Sequence, residues 1–478
     1  VPKLDRERPN ILILMTDQQR GDCLGIEGHP ALMTPNMDEI ATQGVRFAQA
    51  YSTCPSCIAA RRSLLSGQFP AHHGMVGFQA GVEWEPPATL PGVLSQAGYQ
   101  TFLVGRDMHQ HPPRKRFGFD HMVFQGDWTE GPAGPLDYMG HGISGNGWLA
   151  RPWHLDERQH PTYITTSEAI RFLRSWRDPS CPFFLIASYV APHPPLCPPA
   201  FYMERYLRMA LPEPVIGDWA EPPPEGERGF DVNSDRVWLR GEALRSCLAG
   251  YYGLINHIDD QIRRLLDGLG TSPFTGHAGM DNTLVIFISD HGEMLGDHYL
   301  FRKTYPYDGS ARIPFLIRPT KAMEMKRGQV CDAPVCLEDL MPTVLEAAGV
   351  EVPDSVDGRS LLPLMRGETE NWRPFLHGEH AACYRLEQGN HYLTDGRWKY
   401  AWFSHTGREQ LFHLADDPHE LHDLAGRAEH ADALALWRQR LIERLRGRPE
   451  GFSDGQRLIP GRPHLPVTTP LGEEVHTR

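Results

Sequence analysis

Two short apolar runs constrain this chain more than anything else in it. Asn10-Ile-Leu-Ile-Leu-Met15 and Asn282-Thr-Leu-Val-Ile-Phe-Ile-Ser289 are almost unbroken in Ile, Leu, Val and Phe. Runs of that length, bounded by turn residues, read as strands buried on both faces of a parallel sheet. Each is followed by a polar doublet, Asp17-Gln18 after the first and Asp290-His291 after the second. Open α/β sheets bind ligands beyond the carboxyl ends of their strands, so both doublets stand where chemistry is done. Two more runs have the same form. Tyr99 to Val104 delivers Gly105-Arg106-Asp-Met-His109, and Pro182 to Val190 delivers Ala191-Pro-His193-Pro-Pro195. Helical patterns over Pro35 to Gly44, Leu90 to Ala97, Thr165 to Trp176 and Arg245 to Leu269 fill the intervals. Strands alternating with helices predict a doubly wound α/β sheet.

A carboxylate, an amide oxygen and an imidazole converging at one sheet edge suit a single dication. A lone Asp after a strand is more often a helix N-cap. Two such doublets together with a well-placed cysteine favour metal ligands, namely Asp17, Gln18, Asp290 and His291. The cysteine is Cys57, in Cys54-Pro-Ser-Cys57-Ile-Ala-Ala-Arg61-Arg-Ser-Leu-Leu-Ser66-Gly67. Arg61 to Leu65 reads as the first turns of a helix and Gly67 as its stop. Cys57 then sits near a helix N-terminus, where free N–H groups and the dipole raise the thiolate fraction. Arg61, four residues on, shares its face. A nucleophile beside a guanidinium at a helix start is a seat for a tetrahedral oxyanion such as sulfate or phosphate. The plainer alternative is a buried structural cysteine with a capping arginine. A Cys54–Cys57 redox pair is the other rival, but the short βαβ context of such motifs is missing.

The chain has 478 residues, enough for one large domain and a smaller one, 40% hydrophobic and 22% charged as in ordinary globular enzymes. Its net charge of −13 argues against nucleic acid or an anionic membrane as partner, and a bound dication would offset part of it. Nine cysteines are scattered without zinc-ribbon spacing. No apolar run reaches the length of a membrane span. No signal peptide is visible, so a bacterial cytoplasm or periplasm is the expected compartment, and the start Val1-Pro2-Lys3 leaves a trimmed leader open. Residues 110–160 are rich in Gly, Pro, His and Trp without periodicity, a long insertion with a functional look. Residues 211–231 read as a surface loop. Character changes near residue 371, dividing the chain into a catalytic unit over 1–370 and a C-terminal α+β unit over 371–478. In the latter, Tyr392 to Trp402 and Glu409 to Leu414 look like antiparallel strands. A helix follows from Ala431 to Arg446, and then an irregular tail.

Cys57-Ile-Ala59-Ala-Arg61 with Leu64-Leu65-Ser66-Gly67 resembles the sulfatase signature, Cys-x-Pro/Ala-x-Arg followed by Leu-Leu-Thr/Ser-Gly. Counting back from Gly67 makes Cys57 the nucleophile and Cys54 a bystander. The resemblance implies an alkaline-phosphatase-like fold, a large mixed sheet flanked by helices plus a small C-terminal antiparallel sheet with a helix. It also implies oxidation of Cys57 to formylglycine by a formylglycine-generating enzyme, and one divalent metal held by Asp17, Gln18, Asp290, His291 and residue 57. Many sulfatases carry Asp-Asp and Asp-Asn where this chain has Asp17-Gln18 and Asp290-His291. The softer set admits Mn2+ beside the expected Ca2+. It is also similar to phosphonate monoester hydrolases and choline-sulfatase-like members.

Lys303 resembles the family lysine that holds an anionic oxygen, and His193 matches the Pro-His-x-Pro turn that assists the leaving group. Arg106 and His109 are similar to the family's Gly-Lys-x-His loop, with Arg106 binding an equatorial oxygen and His109 acting as base. In this reading Arg61 and Lys303 neutralise the sulfate oxygens. The expected reaction is sulfate-ester hydrolysis, on a sulfated carbohydrate or similarly sized organic sulfate because Trp128, Trp148, Trp153, His111, Arg114, Trp402 and His391 read as a pocket rim. The alternatives are phosphonate monoester or phosphodiester hydrolysis at the same site, and non-catalytic binding of an oxyanion or glycan. The C-terminal tail is a candidate surface for a homo-oligomer. The resemblance runs from about residue 9 to 425.

Overall fold

The computed structural model describes residues 8–127, 130–131, 134–135, 147–228, 237–270 and 278–471. The apolar runs form the strands Asn10–Asp17, Gln100–Gly105, Phe183–Pro192 and Thr283–Ser289. They lie side by side in an eight-stranded sheet. Its order is Gln329–Cys331, Val45–Phe47, Phe315–Arg318, Thr283–Ser289, Asn10–Asp17, Phe183–Pro192, Gln100–Gly105 and His121–Phe124. The four run parallel, and Phe315–Arg318 is antiparallel to both its neighbours.

Strand Asn10–Asp17 has no exposed residue, and its period of two divides it between two cores. Leu12 and Leu14 pack toward the long helix Gly241–Gly270, among Tyr251, Leu254, Ile255 and Ile258. Ile11, Ile13 and Met15 pack on the other face with Ala60, Leu64 and Leu65 of the Cys57 helix and Leu340 to Leu345 of a further helix. Burying both faces of the central strands is what demands their unbroken apolar sequence.

A second, four-stranded antiparallel sheet runs Leu376–His380, Asn390–Thr394, Trp398–Phe403, Glu409–His413. One face meets Tyr51, Met294, Tyr305 and Tyr307 of the first lobe. The other is covered by Leu434, Trp437 and Leu441 of helix Ala431–Arg444. Lys399 is buried between Asp308 of the first lobe and Glu420 of the second, 2.8 Å from the latter.

Several expectations are corrected. Within the aperiodic insertion at 110–160, His121–Phe124 adds an edge strand to the main sheet. Its lack of apolar alternation reflects an edge that is half exposed. The segment 211–231 is partly packed: Trp219 stacks on Tyr307 at 4.7 Å and donates to Glu420 O at 2.7 Å. Trp148, Trp402 and His391 do not form a rim. Trp148 lies in the main core against Phe301, and Trp402 and His391 are interior to the second sheet. Trp128 lies outside the described residues. The tail folds back on its own chain, with Thr468 N donating to Gly74 O and Val76 N to Pro466 O. Among the described residues no helix is long and apolar enough to cross a membrane.

Candidate active site

Four adjacent parallel strands end at the same edge and deliver one polar group or more each. A register shift between Met15 and Asp17 turns Asp17 out of the ladder at the strand end. Its neighbours contribute Asp290-His291 on one side and His193 on the other, and Arg106 follows on the next strand. Gly105 has φ +101, and a Cβ there would stand 2.1 Å from Ser188 O. Only glycine permits the turn that starts the Arg106 loop. The helix Cys57–Ser66 begins at the same edge, one turn earlier than Arg61 alone suggests, and Gly67 closes it at φ 66 with its N–H on Ser63 O. Cys57 is the first residue of that helix, where backbone N–H groups have no helical acceptor.

Asp17, Cys57, Asp290 and His291 are fully buried, and one ligand atom of each lies within 4.8 Å of the others. Cys57 Sγ is 3.1 Å from His291 Nε2 and 3.9 Å from Asp17 Oδ1. His291 Nε2 is 3.6 Å from Asp290 Oδ1. His291 Nδ1 is 2.9 Å from Gly292 O, a carbonyl that can only accept, so Nδ1 carries a proton; burial opposes a charge on the ring, but Asp290 and Cys57 outweigh it, and Nε2, which faces the cluster, would give up its proton to a bound ion. That leaves the tautomer a metal-ligating histidine needs. Two buried carboxylates, an imidazole lone pair and a sulfur with converging atoms fit a divalent ion.

Burial, and then the charge of Asp17, push the Asp290 carboxyl above its ordinary value. Asp17 itself is held well below the carboxylate range: burial opposes ionisation, but the guanidinium of Arg106, and then that of Arg61, outweighs it. For Cys57, burial and Asp17 oppose the thiolate, yet Lys303, His291 and a hydrogen bond with His109 bring the thiol well below its usual value.

The cations are placed differently from one another. Arg61 has no solvent exposure. It donates through Nη2 to Asp17 Oδ2 at 2.9 Å, through Nε to Asp290 Oδ2 at 3.1 Å, and through Nη1 to Asp107 O at 2.8 Å and Ser188 Oγ at 3.2 Å. Its fork is spent on locking the two carboxylates together, so it does not line an open oxyanion seat as the sequence suggests. Arg106 is half-buried, with Nε 2.7 Å from Asp17 Oδ2 and Nη2 3.5 Å from His109 Nε2. Lys303 donates to Gln18 Oε1 at 2.7 Å. His193 Nδ1 is 2.7 Å from Pro194 O, and burial first, then Lys303, lowers its pKa to about 3. It is a neutral imidazole with its Nε2 lone pair free of that carbonyl.

The doublet residue Gln18 has φ 70 and is held by parts that sequence reasoning missed. Its amide nitrogen donates to Glu293 Oε2, its N–H to Asp290 Oδ1 at 3.1 Å, and its carbonyl accepts from Tyr251 OH at 2.6 Å. Glu293 follows His291 by two residues in the same motif and could have been suspected from its place there. Tyr251 lies 233 positions from Gln18 on a helix whose sequence shows only amphipathic spacing.

The sulfatase family model matches residues 9–350, and the model for the C-terminal part of N-sulphoglucosamine sulphohydrolase matches residues 296–447. The chain is 42% identical to an arylsulfatase of Clostridium perfringens (strain 13 / Type A), across 95% of this chain and 98% of that protein. A protein solved in complex with its substrate D-glucosamine-2-N,6-O-disulfate superposes with TM-score 0.73 at 25% identity, covering 92% of this chain and 97% of the other. The phosphonate monoester hydrolase of Agrobacterium radiobacter superposes with TM-score 0.75 at 25% identity, over 91% and 95%. Fold, strand-end site and relatives together define a sulfuric ester hydrolase with an alkaline-phosphatase-like sheet. The chain belongs to the sulfatase family.

Proposed function

We propose that Cys57, converted to formylglycine by a separate maturation enzyme, supplies the nucleophile for hydrolysis of an organic sulfate ester, with a sulfated carbohydrate among the admissible substrates. The observation that carries this reading is the place of Cys57 Sγ inside the ligand cluster, 3.1 Å from His291 Nε2 at the first residue of a buried helix. Asp17, Asp290 and His291 would hold the dication together with Gln18 Oε1, which keeps a second lone pair beside the one given to Lys303. Calcium suits the carboxylates and manganese is admitted by the imidazole. The bound ion would supply charge neutralisation at the sulfate and a lowered pKa for an oxygen nucleophile.

The protein's own residues do the rest. Arg61 fixes the angle between the two carboxylates. Lys303 and Arg106 are the cations that face the substrate's anionic oxygens, and Lys303 is the better partner for the departing oxygen because His193 is neutral. His193 presents an acceptor lone pair that orients the alcohol. His109 is the base that returns residue 57 to its resting form. Residues 1–370 carry these groups, and the unit 371–478 closes one side of the molecule.

One observation favours a second reading, phosphonate monoester hydrolysis: the Gln18 and His291 pattern together with the overlap with the Agrobacterium radiobacter enzyme. Mass analysis of the Cys57 peptide, beside turnover of an aryl sulfate, a phosphodiester and a phosphonate monoester, decides between them. Sulfate turnover by protein with only unmodified Cys57 would refute the formylglycine assignment. A preference for the phosphonate would favour the second reading.

A further inference from the structure

Two adjoining cavities, of about 200 Å³ and 230 Å³, open at the end of the Cys57 helix that lies away from the catalytic cluster. Gly67 closes that helix, and its carbonyl accepts from Asp357 N at 2.9 Å and from Gly358 N at 3.1 Å. Phe69, Asp357, His377 and Arg444 line both cavities. A helix of ten residues is about 15 Å long, so this place is remote from Cys57 Sγ.

In a chain of net charge −13, the second cavity is lined by three guanidiniums, those of Arg359, Arg373 and Arg444, against one carboxylate. That carboxylate is engaged: Asp357 Oδ2 accepts from Phe69 N at 2.8 Å and lies 2.6 Å from His72 Nδ1. In the first cavity Glu379 is held at both oxygens by Arg448. Arg373 is spent on Asp339. Arg444 is not spent. Among the described residues it has no carboxylate at ion-pair distance and no hydrogen bond, only the ring of Phe69 at 5.6 Å from its guanidinium. Arg444 and Arg359 are both exposed, so a solute can reach them.

Arg440, one turn before Arg444 on helix Ala431–Arg444, is in the same condition. Its guanidinium lies over Trp437 at 4.3 Å and over Phe375 at 5.2 Å, and Phe375 is a wall of the second cavity. Like charges at i and i+4 share a helix face and destabilise it, unless an anion stands between them and the solvent. A helix C-terminus favours one basic residue at Arg444, but it does not account for Arg359, on a separate loop, lining the same space. Arg359 gives one N–H to Asn371 O at 3.2 Å and keeps the rest of its fork. Guanidinium forks match the oxygens of a sulfate or phosphate group. Phe69, Pro374, Phe375 and Leu376 make the remaining wall apolar, so there is also room for an organic body joined to the anion.

We propose that Arg444 and Arg359 bind a sulfate or phosphate group here, at a second oxyanion site separate from the catalytic cluster. The group is either the free ion or one carried on an organic body that lies along Phe69 and Phe375. The site stands on its own residues and does not depend on the reading of the reaction.

The test is calorimetric titration of the wild type, Arg444→Gln and Arg359→Gln with inorganic sulfate, inorganic phosphate and phenylphosphonate. Each variant should weaken anion binding at this site at least about tenfold, since a charged hydrogen-bond partner is lost. The two changes stand on separate segments, so a fold disturbed by one does not remove the evidence of the other. Inhibition of 4-nitrophenyl sulfate turnover by sulfate should stay within about twofold of the wild type in both, because the catalytic cluster is untouched. Phenylphosphonate bound more tightly than phosphate would assign a group carried on a ring, and equal affinity would assign the free ion. Selenate soaked into crystals should give an anomalous selenium peak between Arg359 and Arg444. Sulfate and phosphate binding unchanged in both variants, or selenium found at the catalytic cluster alone, would overturn the proposal. Were the protein inactive on every sulfate ester, the reading of the reaction would fall, and the titrations would still decide this site.

Discussion

Two buried clusters of imidazole and carboxylate stand in this molecule, and they are built to opposite ends. At the main sheet edge Asp17, Cys57, Asp290 and His291 converge; inside the second sheet Glu379, His391 and His464 do so within the same span. In the second cluster the carboxylate is closed. Arg448 donates to both oxygens of Glu379 at 2.8 Å, and His391 Nδ1 is already 3.2 Å from His377 Nε2. Burial works against the Glu379 charge, but Arg448 outweighs it and holds the pKa at about 2. At the sheet edge Arg61 bridges Asp17 Oδ2 and Asp290 Oδ2 and Arg106 pairs with Asp17, while burial and the charge of Asp17 still push the Asp290 carboxyl upward. In one cluster a guanidinium takes both oxygens of the carboxylate; in the other Asp17 Oδ1 turns instead to Cys57 Sγ and His291 Nε2, each 3.9 Å away. Ligand-type residues do not by themselves make a metal site; ligand atoms that no fixed cation has claimed do.

The largest expected effect comes from breaking the open cluster. Asp290→Asn should lower kcat/KM more than about 100-fold, since loss of a mere outer-shell partner of a metal ligand costs roughly 10–100-fold. The same variant should change the unfolding free energy of metal-stripped protein by no more than about 1 kcal/mol, because the charge it removes is disfavoured there. Steady-state kinetics and denaturant melts check the pair.

Glu379→Gln should do the reverse. It removes one of the two carboxylates that hold Arg448, leaving Glu450 at 2.8 Å, and should cost about 1–3 kcal/mol of stability, with turnover per folded molecule unchanged. Because the folded pKa is depressed from 4.5 to about 2, the wild-type advantage should be full above pH 4.5 and shrink as pH falls toward 2. Melting both proteins across that range measures it.

Arg61→Lys keeps the charge and loses the fork that spans Asp17 and Asp290. A fall of roughly 10–100-fold in turnover, with weakened metal affinity, is expected. Restored activity at high added metal would show that the arginine positions the ligands. The mildest change is Tyr251→Phe, which removes the hydrogen bond to the Gln18 carbonyl and the acceptor of the Arg20 N–H. It should cost about 1 kcal/mol of stability and a few-fold in turnover, seen in the same two assays.

Much of the open cluster was legible in sequence, because a strand buried on both faces needs an apolar run and its end marks the sheet edge. Asp17, Asp290, His193 and Arg106 could thus be placed from neighbouring residues alone, and Cys57 from the helix start before Gly67. The supports of the cluster were not. Tyr251 reaches Gln18 across the sheet, and Arg61 looked like an anion ligand because its spacing from Cys57 could not show that Asp17 and Asp290 would claim its fork. The closed cluster was illegible for the same reason: Glu379, His391, Arg448 and His464 meet only when two strands and the tail fold together. The strand His121–Phe124 and the buried Trp148 were misread because edge strands and packed loops carry no periodicity of their own.

Of the two clusters among the described residues, only the one at the sheet edge leaves ligand atoms turned to one another rather than to a guanidinium, and so only it should take a metal ion. The direct test is elemental analysis of the purified protein after dialysis against trace calcium and manganese. The wild type should carry one divalent ion per chain; His464→Gln and Glu379→Gln should keep it, and Asp17→Asn should lose it. Two ions per chain with one lost in His464→Gln, or an ion retained in Asp17→Asn, would contradict the account.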